Sequence, residues 1–382
     1  MSPSVQTIRW GIISTGGIST AFSRDLLVNP ATRDANDIEH RITAIGSRTK
    51  ESAQAFLDKL NDLPQDEACR WGVDHGKLKD CKAYGSYQEV YDDPNVDCLY
   101  IGTPHNFHYE NTKGGLQGGK HVLCEKPFTF DLKELDELIA LAKEKKRFLM
   151  EAVWTRFQPI AYEVQQIVHS GKLGKVKRFS ADFSTDMKPD NFPLSHRIIA
   201  PELAGGGILD LGPYPSVWTM MVLYHHPDNK KTPPKLLQSR QTLYHRTNVD
   251  EQTTLTLGFE ALNVEADLRT SFTCQGLAGN CVAVQCEEGD LIIDFPPYKP
   301  TTYHVVPHAD VGKIKEAKTY HAKTHPGGAM HYEADEVARC VRDGKLESER
   351  MPWEESRIVQ SWFDDVRRAG NTVLKDRHGK AG

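Results

Sequence analysis

No segment of the 382-residue chain approaches the ~20 consecutive apolar residues that a membrane-spanning helix needs. No apolar run near the start follows a basic flank, so no signal peptide is predicted. The expectation is a cytoplasmic protein with no membrane partner. Cys-x-x-Cys is also missing: the eight cysteines, at 69, 81, 98, 124, 274, 281, 286 and 340, lack metal-ligand spacing and read as free, mostly buried thiols. The 16 histidines include His225-His226 and a scattered set at 304, 308, 321, 325 and 331, but none forms the helical pair with a carboxylate that marks a zinc hydrolase. No metal is expected. A basic block is absent too, and a formal charge of −5 argues against nucleic acid or a membrane surface as the main partner. The small basic clusters at 143–147 and 172–178 read as solvated ends of elements.

What is present is an ordinary globular composition, 39% hydrophobic and 26% charged, in a chain long enough for two domains. Up to about residue 153 short apolar runs alternate with amphipathic stretches: 8–13, 41–46, 97–101, 121–125 and 147–153 read as strands. Between them, 51–60, 109–118 and 132–144 read as helices. That alternation predicts an α/β domain with a Rossmann-type, doubly wound parallel sheet. Residues 29–40 read as a polar insertion at the edge and 61–82 as irregular. From 154 onward a helix at 160–170 precedes strands at 176–183, 236–244, 252–259, 264–272, 280–286 and 291–295, and two helices around a linker at 344–352 finish the chain. Short turns between consecutive strands predict an α+β domain with a largely antiparallel open sheet. The expected division is into two domains, 1–153 and 154–382.

Four stretches carry chemistry. The run Ile8 to Ile13 ends in Ser14-Thr15-Gly16-Gly17-Ile18 before a helix, the layout in which backbone N–H groups and a helix N-terminus receive a pyrophosphate. Ser14 and Ser19 stand where the dinucleotide fingerprint has its first and last glycines; Gly16, which lets the backbone approach the phosphates, is kept. The second strand ends in Ser47-Arg48-Thr49, where an NAD enzyme usually offers a carboxylate to the ribose. Hydroxyls and a guanidinium suit a 2′-phosphate instead, so NADP is predicted with Arg48 as its main contact. Thr103, Pro104 and His105 follow another strand to the same edge; Thr103 and Pro104 line the cofactor, while His105 and His108 line it or serve only as loop. Cys124-Glu125-Lys126-Pro127 runs a buried strand straight into an ammonium, which can relay a proton or lower the pKa of a phenol beside it. In the second domain, Gly205-Gly206-Gly207 leads to Asp210 and Tyr214, four residues apart. They form either a proton-handling pair on one helical face or a packing contact.

Taken together, Gly11-Ile12-Ile13-Ser14-Thr15-Gly16-Gly17-Ile18, Gly102-Thr103-Pro104-His105, Cys124-Glu125-Lys126-Pro127, Glu151-Ala152-Val153-Trp154-Thr155-Arg156-Phe157 and Gly206 to Tyr214 resemble the Gfo/Idh/MocA oxidoreductase family over nearly the whole chain. Glu-Lys-Pro marks the family; Glu-Ala-x-Trp-Thr-Arg with Asp-x-x-x-Tyr resembles the branch of dimeric dihydrodiol dehydrogenases and fungal NADP-dependent D-xylose 1-dehydrogenases. The resemblance implies that Lys126 and Tyr214 are catalytic, the phenol, ordinarily near pKa ~10, being brought towards neutrality by the ammonium. Many relatives have histidine where this chain has Tyr214. Asp210 would orient substrate hydroxyls or the Lys126 ammonium, Trp154 would touch substrate, and Arg156 would fork onto a sugar hydroxyl or a backbone carbonyl. Glu125 and Lys126 would join the glycine turn, Ser47-Arg48-Thr49 and the Thr103 loop on the cofactor. The implied reaction is oxidation of an aldose at its anomeric hydroxyl, D-xylose to D-xylonolactone foremost, or of a trans-dihydrodiol. A homodimer through the C-terminal sheet is implied. So is one rival of another class, a non-catalytic nucleotide-binding transcriptional regulator.

Overall fold

The computed structural model describes residues 5–63, 73–309, 315–370 and 372. The chain divides into two compact units, residues 1–154 with 325–356, and residues 155–324 with 357–382. A single boundary near 153 therefore does not describe the chain, because the segment 325–356 rejoins the first unit.

In that unit β1 (Gln6–Ile13), α1 (Gly17–Leu27), β2 (Ile38–Gly46), α2 (Lys50–Asn61), β3 (Lys82–Tyr84), α3 (Tyr87–Asp92) and β4 (Cys98–Ile101) are followed by α4 (His108–Gln117), β5 (His121–Glu125), α5 (Leu132–Lys145) and β6 (Leu149–Ala152). The strands lie in the order β3-β2-β1-β4-β5-β6, and every pairing is parallel. Strands covered on both faces must be apolar throughout, and every residue of β4 and β6 is buried. The order reverses at β1, which opens a crevice at the carboxyl ends of β1 and β4. One face carries a core that includes Val90, Leu99, Leu116, Val122 and Leu135; on α1, Phe22 stacks on Tyr100 of β4 with centroids 3.8 Å apart.

The second unit contains α6 (Pro159–His169), β7 (Val176–Ser184), α7 (Gly207–Leu211), α8 (Pro213–Thr219), β8 (Lys235–Leu243), β9 (Asp250–Phe259), β10 (Val264–Ser271), β11 (Val282–Cys286), β12 (Gly289–Ile293), β13 (Thr302–Pro307) and β14 (Lys318–His321). They form a sheet in the order β14-β13-β12-β11-β7-β10-β9-β8. Only β7 and β10 run parallel; the other neighbours are antiparallel. Two helices close the chain, α9 (His331–Arg342) in the first unit and α10 (Trp353–Ala369), divided between the units after Ser356.

Residues 29–40 are not a polar insertion at an edge. Pro30–Arg33 form a helical turn, and β2 starts at Ile38 and lies inside the sheet. The polar character misled because its charges are answered from far along the chain. Arg33 donates twice to Asp335 of α9, at 2.7 Å each, and His40 lies 2.9 Å from the same carboxylate. The Trp10 indole donates to His40 Nδ1 at 3.1 Å, so Nε2 carries the ring proton that goes to Asp335. Of the 61–82 stretch, residues 64–72 lie outside the described residues; the rest contains a helical turn at His75–Leu78 and ends in β3. Among the described residues the cysteines are free thiols, five of them buried. In the same set no His/Cys/Asp/Glu group could hold a metal ion, and no helix is long and apolar enough to cross a membrane.

Candidate functional site

The first unit brings Ser14 to Ile18, Ser47 to Thr49, Thr103 to His105 and Glu125-Lys126 to the carboxyl ends of four adjacent strands. Ser14 sits at φ 98°, a left-handed region that favours glycine. That explains why the fingerprint has glycine there, and the side chain is put to use: Ser14 Oγ accepts from the Gly16 amide at 3.3 Å. The last fingerprint glycine normally lets helix and strand pack closely. Here Ser19 occupies that place, fully buried, and Gly102 supplies the room, since a Cβ there would lie 2.3 Å from Ser19 Oγ.

Side-chain capping separates α1 from α2, α3 and α5. Thr49, Ser86 and Asp131 cap α2, α3 and α5, each helix with a glutamate in its first turn. Helix α1 has no capping side chain and no acid in its first turn, and a Cβ on Gly17 would meet nothing within 4 Å. Its first amides and the positive end of its dipole are thus left for an anion approaching from outside. The residues present fit a dinucleotide pyrophosphate. At the end of β2, Ser47 is buried and Arg48 is exposed. Thr49 is committed to α2, accepting from Ser52 N at 3.2 Å.

The loops after β4 and β5 converge on His108. His108 lies fully buried with Nε2 2.9 Å from the Thr103 carbonyl and Nδ1 2.7 Å from the Pro127 carbonyl. Burial, with the charge of His105, pushes its pKa down to about 3, so the neutral ring donates through one nitrogen. The turn after Lys126 is held again where Phe128 N donates to Glu151 at 3.1 Å. Glu151 in turn accepts from Ser356 at 2.6 Å. Glu125 is buried, accepting from the Tyr100 hydroxyl at 2.5 Å and from the Lys126 amide at 3.3 Å. Burial raises its pKa, against the pull of the Tyr100 bond and the Lys126 charge. Lys126 itself is half-buried.

In the second unit the Asp210–Tyr214 stretch is two helices rather than one. Pro213 has no N–H to give, so α7 ends at Leu211 and Pro213 opens α8. Both side chains are buried. Asp210 accepts from Arg197 at 2.9 Å, and Tyr214 packs edge-on against Phe183 (5.4 Å) and tilted against Tyr298 (5.6 Å). The glycine turn owes its shape to Asp250, which accepts from Ile208 N at 2.6 Å and from Thr253 at 3.0 Å. A Cβ on Gly206, at φ 120°, would lie 2.3 Å from the Asp250 carboxylate. Burial raises Asp250 to about 7 against those hydrogen bonds. Trp154 is buried at the end of the first unit and Arg156, in the second, is 1% exposed.

Family models match both parts of the chain. Residues 8–153 match an oxidoreductase family with an NAD-binding Rossmann fold, and residues 162–292 match the Gfo/Idh/MocA C-terminal domain. The chain belongs to the Gfo/Idh/MocA family of oxidoreductases. It is 37% identical to D-xylose 1-dehydrogenase (NADP(+)) of Hypocrea jecorina, with 97% of this chain and 94% of that one aligned. It is 32% identical to human trans-1,2-dihydrobenzene-1,2-diol dehydrogenase, covering 97% and 99%. Among solved structures, levoglucosan dehydrogenase shares its fold at TM-score 0.78 and 16% identity, covering 96% of this chain and 98% of that one. Within this Gfo/Idh/MocA chain, sequence motifs missed Arg197, Asp250 and Tyr298, and left His108 between cofactor lining and loop. None stands in a motif of its own; only Gly206 and Gly207 hinted that another side chain, Asp250, presses against them.

Proposed function

We propose that the protein oxidises the anomeric hydroxyl of a cyclic aldose, D-xylose foremost, to the aldonolactone with NADP. The first unit is proposed to hold the cofactor and the second to take the sugar and to form a homodimer through its sheet. The observation that carries the substrate is the likeness to the Hypocrea jecorina enzyme, whose name states both D-xylose and NADP(+). The uncapped α1 and the exposed Arg48 support the cofactor. Bound at that edge, NADP supplies the acceptor for the C1 hydride. The amides at the start of α1 would hold its pyrophosphate, Arg48 and Ser47 its 2′-phosphate, and Thr103, Pro104, His105 and Glu125 the nicotinamide end. Tyr214 would take the proton from the anomeric hydroxyl, Lys126 would supply the charge that makes a phenol capable of it, and Asp210, held by Arg197, would orient the sugar hydroxyls. Trp154 remains a proposed substrate contact. The burial of Arg156 suits support of a backbone carbonyl better than a bond to sugar.

Dihydrodiol relatives at 32% identity support a second substrate, a trans-dihydrodiol oxidised to a catechol. Initial rates of NADPH formation with D-xylose, D-glucose, L-arabinose and a trans-dihydrodiol, each repeated with NAD⁺, separate the readings. Fastest turnover on xylose with NADP⁺ is expected. Turnover on the diol alone would replace the sugar reading, and NADPH binding without any oxidation would favour a regulator. Arg48→Ala should raise KM for NADP by about 10 to 100-fold, the worth of a charge-assisted bond, and KM for NAD hardly at all. Equal effects on both would remove Arg48 from the phosphate.

A further inference from the structure

The short helix that carries Asp210 is capped from another part of the second unit. Helix α7 begins at Gly207, after Gly206, and no side chain of its own caps it. Asp250, the first residue of β9, does so from outside: its Oδ2 accepts from Ile208 N at 2.6 Å, the amide that a local cap residue would bind. A local cap has no room, since a Cβ on Gly206 would lie 2.3 Å from Asp250 Oδ1 and one on Gly207 3.3 Å from Oδ2. Thr253 fixes the carboxylate in turn, donating to Oδ2 at 3.0 Å. The opposite side of the same turn is held by the loop that follows Arg197. Gly205 N donates to the Ala200 carbonyl at 3.0 Å and Gly206 N to the Ile198 carbonyl at 2.9 Å, and a Cβ on Gly205 would lie 2.7 Å from the Ile198 oxygen. The glycine turn is therefore clasped between Asp250 and residues 198–200.

We propose that Asp250 is a positioning residue for the sugar site: by capping α7 it sets where Asp210 and Arg197 stand relative to each other. Both members of that pair are close in the chain to the clasped atoms, Arg197 next to Ile198 and Asp210 two residues beyond Ile208. Their own bond is too weak to do the placing. Arg197 reaches Asp210 at 2.9 Å with a side chain 50% exposed, and an ion pair so open to solvent contributes little. The bond from Ile208 N to Asp250 is buried, where leaving an amide unmatched is costly, so the backbone under Asp210 follows Asp250. This inference rests on the reading of Asp210 as the residue that orients sugar hydroxyls. It gives the glycine turn a task within that reading, because a side chain at Gly206 would displace the carboxylate from β9.

Asp250→Ala and Asp250→Asn test it together, since Asn keeps an oxygen for Ile208 N and Ala keeps none. Hydrogen exchange of the Ile208 amide should quicken by about tenfold or more in the Ala variant, the worth of a buried bond, and return most of the way in the Asn variant. Ala should lower kcat/KM for D-xylose by about 10 to 100-fold, mainly through KM, as a small misplacement of a binding group does, with KM for NADP unchanged. A general loss of stability would move both KM values alike. On an Asp210→Ala background the loss from Asp250→Ala should shrink to about twofold or less, because a residue that acts through Asp210 is not additive with it. If Ala prevents folding, Asp250→Leu fills the space without an acceptor and serves the same comparison with Asn. Ile208 exchange that is equal in the natural protein and the variant, KM values for sugar and NADP that rise together, or full additivity with Asp210→Ala would each overturn the proposal. The exchange does not depend on turnover. A protein that oxidises no sugar would sink the proposed reaction and with it the sugar role of Asp250, while the exchange still decides whether Asp250 holds α7.

Discussion

Lys126→Met should lower kcat for alcohol oxidation by about 10² to 10⁴-fold, the range that a positioned proton-handling group contributes, with a folded protein and a far smaller change in KM. Methionine keeps the apolar stem and removes only the ammonium. The turn that carries Lys126 is anchored through its neighbours' backbone: the Pro127 carbonyl faces His108 and the Phe128 amide donates to Glu151. Neither bond uses the side chain, so the fold should survive. The Glu125 carboxyl should respond as well. The Lys126 charge opposes the effect of burial on it, so losing that charge should raise its pKa further. Steady-state kinetics with circular dichroism decide the matter, and turnover equal to that of the natural protein would remove Lys126 from the chemistry.

Asp335→Ala should cost about 3 to 5 kcal/mol of stability, because deleting one partner of a buried pair strands the other. The stranded partner is Arg33, whose side chain is 0% exposed and lies 2.7 Å from the carboxylate. His40 loses its acceptor in the same step. Urea denaturation at pH 7 gives the number. The pH dependence has a definite sign. Burial pushes the Asp335 carboxyl up, but its hydrogen bonds to Arg33 and His40 outweigh that and hold it well below the ordinary range. A carboxyl depressed in the folded state contributes stability that is complete above its unfolded pKa of about 3.9 and is lost as the pH falls below it. The variant should therefore lose less stability than the natural protein between pH 5 and pH 2. Equal acid sensitivity would show that Asp335 is not the carboxylate involved.

The two predictions differ in how far the sequence anticipates them. Lys126 is legible because an apolar strand, a charge and a proline are contiguous, and a strand's carboxyl end in an alternating α/β pattern is where ligands bind. Helix α5 is legible for a similar reason, since Asp131 caps it and Glu134 stands in its first turn. The Arg33–Asp335 pair joins residues 302 apart, and each end reads as an ordinary surface charge. Strand β3 has three residues and α3 has six, too short for periodicity to emerge. The replacement of the fingerprint's last glycine by Ser19 reads as a defect in the sequence, and Gly102 opposite it restores the close packing.

By itself, the sequence determined the alternation of strand and helix, the glycine turn, the charge at the end of β2, the Glu-Lys-Pro turn and the antiparallel character of the second sheet. These follow from backbone preferences and side-chain periods that act over a few residues. Tertiary structure alone decided that 325–356 rejoins the first unit, that Asp250 shapes the turn ahead of Asp210, and that Glu333 lies fully buried. Whether a charge is solvated, paired or stranded depends on which distant group the fold sets against it, and burial multiplies that interaction several-fold over its value in water.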